Sequence, residues 1–236
     1  MTAPTNAPRD RLDRRPRLLV FDVNETLSDM THLGDRFTEV GVPPHLAAPW
    51  FAGLLRDGFA LTVTGANPAF ADLARASLRT VLHDKANVES ATAHVMTGFL
   101  ALPLHDDVVA GVRDLAALGI RLVTLSNGSA SVARALLERG GVADRFERLL
   151  SVEDAPAWKP ARAAYEHALT TCGVPAEDAA LVAVHPWDVH GAGAAGLGGI
   201  LLDRTGAPYP EPFRAPDLVV SSLPELAARL ERLPAP

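Results

Sequence analysis

Four separated stretches of this sequence carry side chains suited to covalent chemistry at a carboxylate. In FDVNETL, Asp22 ends an apolar run and is followed by Asn24, Glu25 and Thr26. TLSNG supplies Ser126 and Asn127, WKP supplies Lys159, and HPWD supplies His185, Trp187 and Asp188. An ionised aspartate is a competent covalent nucleophile when a cation stands beside it. Lys159 is the candidate cation and would lower the pKa of Asp22. Asp188 would hold Lys159 in turn, while the Ser126 hydroxyl and neighbouring backbone N–H groups would orient the carboxylate. Each residue alone has a plainer reading: a strand-end aspartate is often a turn residue, a lysine usually lies on the surface, and Ser126-Asn127 could be only a turn. The four stretches together point to a nucleophile.

The elements between them are consistent with that placement. Apolar runs at 17–21, 120–126, 180–184, 198–203 and 217–222 read as buried strands. Helical patterns cover 107–118, 130–139, 161–172, 190–196 and 223–233. Strands alternating with helices predict an α/β fold with a doubly wound, Rossmann-like parallel sheet. Sites in such sheets lie beyond the carboxyl ends of the strands, where Asp22, Ser126 and His185 fall. Residues 31–106 are helix-compatible and contain no clear strand, so they are expected to form a helical cap inserted after the first strand. The catalytic core is then 17–30 plus 107–236, and residues 1–16 read as a disordered leader.

Composition narrows the class. The 236 residues are 48% hydrophobic and 21% charged, with a net charge of −6 and no Lys/Arg run, which argues against a nucleic-acid or anionic-membrane partner. The single cysteine, Cys172, rules out a disulfide framework and fits a cytoplasmic location. No apolar stretch approaches the roughly 20 residues needed to cross a bilayer. The other histidines show no metal-ligand spacing.

FDVNETL, LVTLSNGSA, WKPARAAY and HPWDVHGAGAAGLGGILLDRTG, in that order, resemble the haloacid dehalogenase superfamily, and more closely its type II (L-2-haloacid) dehalogenases. The resemblance runs from Leu18 across nearly the whole chain, strong over the core motifs and weak over the cap. It implies a small 2-halo carboxylic acid as partner, no cofactor, and a homodimer. It also implies a mechanism in which Asp22 attacks C2, expels halide and forms an ester that water hydrolyses. The superfamily's phosphatases carry an acid aspartate where this chain has Asn24, and a metal-binding aspartate where it has Val184. An amide cannot donate and recover a proton as a general acid at neutral pH, and a valine offers no oxygen to a hard cation. A metal-independent attack on carbon is therefore expected. The alternatives are a phosphatase, a related carbon–heteroatom hydrolase acting on another small acid, and a non-catalytic relative.

The chain also departs from the dehalogenase pattern. Asn24-Glu25 replaces a Tyr-Gly pair, His185 an Asn, Ala183 a Ser, and Phe51, after Trp50, a substrate-binding Arg. Glu25 and His185 follow neighbouring strands. If they meet, they form a general-base pair that activates the hydrolytic water. The plainer readings are a solvated turn glutamate and a structural histidine. Arg56 is the candidate replacement cation for the substrate carboxylate, although, five residues after Phe51 on a helix, it does not share that residue's angular position, and the helix must be rotated or shifted for it to reach inward. Phe51, Phe59 and Trp187 are expected to wall the pocket or to be cap core. Val23, Asn24, Thr26, Asn127 and Tyr165 complete the expected substrate contacts.

Overall fold

Leu18–Phe21 contains no polar side chain, so it suits a strand covered on both faces, and all four residues are buried in strand β1. The computed structural model describes residues 12–236. After β1 come helices α1 (Leu33–Glu39), α2 (Ala47–Val63), α3 (Phe70–Val81), α4 (Val88–Leu100) and α5 (Val108–Ala117). Strand β2 (Arg121–Ser126), helix α6 (Ala130–Arg139), strand β3 (Arg148–Ser151) and helix α7 (Arg162–Cys172) follow. The chain ends with β4 (Ala179–Ala183), α8 (Pro186–Ala195), β5 (Gly198–Leu202), β6 (Leu218–Val220) and α9 (Leu223–Glu231).

The six strands form one parallel sheet in the order β3-β2-β1-β4-β5-β6. Strand order reverses at β1, between β2 and β4, which is where a doubly wound sheet opens a crevice. Alternation along β1 divides the core. Leu18 and Val20 face α7, α8 and the inserted helices, while Leu19 and Phe21 face α5, α6 and α9. Among the described residues, no helix is long and apolar enough to cross a membrane.

Three features differ from the sequence reading. Strand β3 is additional. Its four residues begin exposed at Arg148 and lie at the sheet edge, so they lack the continuous apolar run that marks a central strand. Helix α8 begins at Pro186 rather than at His190, with Pro in the first turn and His185 as its N-cap. The expected leader falls outside the described residues as far as residue 11. Residues 12–16 instead run along the core, where Pro16 is buried and Arg15 donates to the carbonyls of Leu118, Leu230 and Glu231.

The stretch expected at 31–106 holds α1 to α4, and it is fastened beside the carboxyl edge of the sheet. Asn67 Nδ2 donates to the carbonyls of Val152 and Ala155, and Trp158 Nε1 donates to that of Pro68. The Trp158 ring is fully buried, stacks on Phe70 at 5.7 Å, and lies where a Cβ on Gly58 of α2 would fall within 2.3 Å. Glycine at 58 therefore lets α2 close onto the segment that leads into Lys159. Gly58→Ala is expected to overpack this contact and lower stability by about 1–3 kcal/mol, read as a lower urea midpoint.

Candidate active site

Strand β1 delivers Asp22 just past its last residue, where the Asp22 N–H still donates to the Val182 carbonyl at 3.1 Å. The sheet register sets Phe21 beside Thr124 of β2 and Val182 of β4. The ends of β1, β2 and β4 thus converge, bringing Asp22 together with Ser126 and His185. Lys159 arrives from the segment between β3 and α7, and Asp188 from the first turn of α8.

The centre is a buried charge cluster. Lys159 Nζ donates to Asp22 Oδ1 at 2.9 Å and to Asp188 Oδ2 at 2.6 Å, and both Lys159 and Asp188 are 0% exposed. Thr26 Oγ1 donates to Asp22 Oδ2 at 2.7 Å and accepts the Val184 N–H at 3.1 Å. Burial by itself would raise the Asp22 pKa. The Lys159 charge, together with the contacts from His185 and Thr26, outweighs burial and holds the carboxyl well below the usual carboxylate range. Burial would lower the Lys159 pKa, but Asp188 and Asp22 raise it, so the ammonium persists. Asp188 is pushed up by burial and by the nearby Asp22 charge, against Lys159 and Tyr165. Tyr165 donates its hydroxyl to Asp188 Oδ1 at 2.6 Å, and its own pKa is raised well above the ordinary value by burial and by Asp188.

Glu25 and His185 do meet. His185 Nε2 lies 2.8 Å from Glu25 Oε2, and its Nδ1 lies 3.1 Å from Asp22 Oδ2. A carboxylate can only accept, so both ring nitrogens carry protons in this arrangement. Burial would lower the His185 pKa, but the hydrogen bonds and charges of Asp22 and Glu25 prevail and raise it to about 9. Trp187 stacks on the imidazole at 4.9 Å, and Phe59 of α2 meets Trp187 edge-on at 4.9 Å. Glu25 has φ +62°, the one positive φ among the described non-glycine residues. That conformation costs a residue with a Cβ of order 1 kcal/mol.

Several expected contacts lie elsewhere. The Ser126 hydroxyl accepts the Gly128 N–H at 2.9 Å rather than reaching Asp22, and Thr26 takes the orienting place. The Asn127 side chain clamps the Lys159 backbone, accepting its N–H at 2.9 Å and donating to its carbonyl at 3.3 Å, so it faces away from the pocket. Tyr165 is held by Asp188. Phe51 is cap core, packed between Phe70 and Phe99 with centroids at 6.4 and 6.2 Å. Arg56 is exposed and bonded to Asp57 at 2.8 Å, because its position on α2 turns it away from Phe51's buried face.

A narrow, mostly apolar pocket lies at the turns that follow β1 and β2, lined by Val23, Asn24, Ser126, Phe70, Met96 and Phe99 among others; Asp22 adjoins it through Val23 and is not part of its lining. Phe70, Met96 and Phe99 were not singled out from sequence. Their only signal was a large apolar residue on a helix, which core packing produces equally often. Arg204 was missed as well. It donates to the Thr26 carbonyl at 2.9 Å and to Asp107 at 2.9 Å, bracing the loop that carries Thr26.

Comparison with known proteins gives the chain several relatives. A sequence model of the haloacid dehalogenase-like hydrolases matches residues 16–196. The chain is 34% identical over 132 residues to haloacetate dehalogenase H-2 of Moraxella sp. (strain B), covering 56% of this chain and 59% of that one. It is 28% identical over 209 residues to an (S)-2-haloacid dehalogenase of Pseudomonas sp. (strain YL), covering 87% and 90%. Among solved structures, the L-2-haloacid dehalogenase RSc1362 superposes with a TM-score of 0.86 at 25% identity, covering 92% of this chain and 99% of that one.

Removing Lys159 tests the charge cluster directly. Lys159→Met leaves Asp22 and Asp188 buried without their shared cation, a loss of about 3–5 kcal/mol at neutral pH. Chemical denaturation should recover part of that loss on acidification, as the stranded carboxylates take up protons.

Proposed function

The chain belongs to the haloacid dehalogenase-like hydrolases, and on that premise we propose that it hydrolyses short L-2-haloalkanoic acids to 2-hydroxy acids and halide. The observation that carries this reading is the Asp22 carboxylate, buried, ionised and held on both oxygens, next in the chain to Val23 and Asn24, which line an apolar pocket. Asp22 attacks C2 of the substrate in line. The carbon–halogen bond breaks, halide leaves with its electron pair, configuration inverts, and an Asp22 ester forms. Lys159 keeps the nucleophile ionised, and Asp188 positions Lys159. In-line positioning of this kind can contribute several kcal/mol through proximity, about 7–11 at most. The apolar lining takes the alkyl group, and α1 to α4 act as a cap that excludes water.

His185 has different work in the two half-reactions. Before attack it is doubly protonated between Asp22 and Glu25, and it adds a second positive neighbour to the nucleophile. Esterification removes the Asp22 charge, and with it a principal support of the imidazolium. The Nδ1 proton then passes to solvent, leaving a base beside the ester carbonyl. Glu25 keeps Nε2–H in place. Nδ1 takes a proton from water as that water attacks the Asp22 ester, releasing the 2-hydroxy acid and restoring the ionised aspartate. One proton is released to solvent per turnover. Asn24 and Val184 support a metal-independent reaction, because neither supplies the acid or the anionic ligand that phosphoryl transfer needs.

The test is chloride release from L-2-chloropropionate with EDTA present. Wild type is expected to turn over, and Asp22→Asn to lose more than about 10³-fold in rate. His185→Gln should release one chloride per site and then stall, with the adduct on the Asp22 peptide found by mass spectrometry. Chelator-sensitive release, or turnover that survives Asp22→Asn, would contradict the reading.

A further inference from the structure

The Glu25 carboxylate reaches His185 from an unfavourable backbone. Its φ of +62° is one that glycine takes freely, and glycine stands at this place in the common dehalogenase pattern. Something must hold a glutamate there. The Glu25 N–H donates to Ser28 Oγ at 3.3 Å, and the Glu25 carbonyl lies 3.0 Å from His105 Nε2. A carbonyl only accepts, so Nε2 of His105 carries the proton. The backbone N–H and carbonyl of Glu25, one on each side of its strained Cα, are therefore both engaged by side chains.

The two supports come from opposite ends of the inserted helices. Ser28 lies on the segment that leaves the core for α1, and His105 on the segment that returns to it before α5. The two stretches pair: Asp29 N–H donates to the Pro103 carbonyl at 2.8 Å, and His105 N–H to that of Leu27 at 3.0 Å. His105 is half-buried.

We propose that His105, with Ser28, is a positioning residue for ester hydrolysis: it pins the left-handed backbone of Glu25 and so aims the Glu25 carboxylate at His185. This rests on the reading above, in which Glu25 and His185 activate the hydrolytic water. His105 touches neither substrate nor water in that scheme. Its loss should leave alkylation of Asp22 intact and slow the second half-reaction alone.

Two measurements separate this proposal from the parent reading. The first is pre-steady-state chloride release from L-2-chloropropionate by His105→Phe, which keeps bulk and removes the donor, and by His105→Gln, which keeps an N–H donor. His105→Phe should show a wild-type burst, steady turnover lowered roughly 10-fold or more, and ester accumulating on Asp22. His105→Gln should recover much of the turnover. A simple folding defect would instead reduce burst amplitude and turnover together, and that outcome overturns the proposal. So does wild-type turnover in His105→Phe.

The second measurement needs no catalysis. NMR titration follows the His185 ring, which is faced by Asp22 and Glu25, with Lys159 and Asp188 behind Asp22. Its midpoint should fall in His105→Phe toward that of Glu25→Gln, and stay near wild type in His105→Gln. That fall, in a protein that releases no chloride, would sink the dehalogenase reading while leaving the positioning role in place. An unmoved midpoint in His105→Phe overturns the proposal whatever the activity.

Discussion

A fully buried ammonium between two buried carboxylates is the constraint from which this site is built. Lys159 reaches Asp22 and Asp188 with no solvent to share the charge, so each hydrogen bond around it has to be supplied by the fold. Tyr165 fills the second oxygen of Asp188, Thr26 and His185 fill that of Asp22, and Asn127 fastens the Lys159 backbone. These partners come from the segments that follow β1, β2 and β4 and from α7. The parallel sheet is what gathers those chain ends at one edge.

The same cluster explains why a histidine can serve an aspartate nucleophile without disabling it. An imidazole between two carboxylates is a cation, and a cation beside Asp22 favours the ionised carboxylate. In the proposed mechanism its support weakens when the aspartate becomes an ester. In that mechanism the first half-reaction thus changes the state of the residue required for the second. Trp187 and Phe59 link that imidazole to α2, so closure of the helices over the pocket and alignment of the ring are one packing problem.

Much of this was legible in the sequence, for identifiable reasons. The central strands are continuous apolar runs, and such runs in an alternating chain imply a parallel sheet whose ends collect polar residues. Asp22, Lys159 and Asp188 are conspicuous because charges stand beside buried segments. Glu25 and His185 could be paired because they follow strands expected as neighbours. Strand β3 was not legible, because an edge strand of four residues beginning with an exposed arginine carries no such run. The α8 boundary was misplaced although Pro186 marked its first turn. Arg56, Phe51 and the pocket residues Phe70, Met96 and Phe99 depend on how one helix is rotated against another, which helical periodicity leaves open. The left-handed backbone at Glu25 had only an indirect signal, the glycine found there in the resembled pattern.

The most direct test of the central claim is a single turnover of L-2-chloropropionate by excess wild-type enzyme in 18O-labelled water. Attack by Asp22 on carbon, followed by water on the ester carbonyl, places the label in the Asp22 carboxylate and leaves the 2-hydroxy acid unlabelled. Label in the 2-hydroxy acid and none in Asp22 would mean that water displaces the halide directly, and would contradict the account.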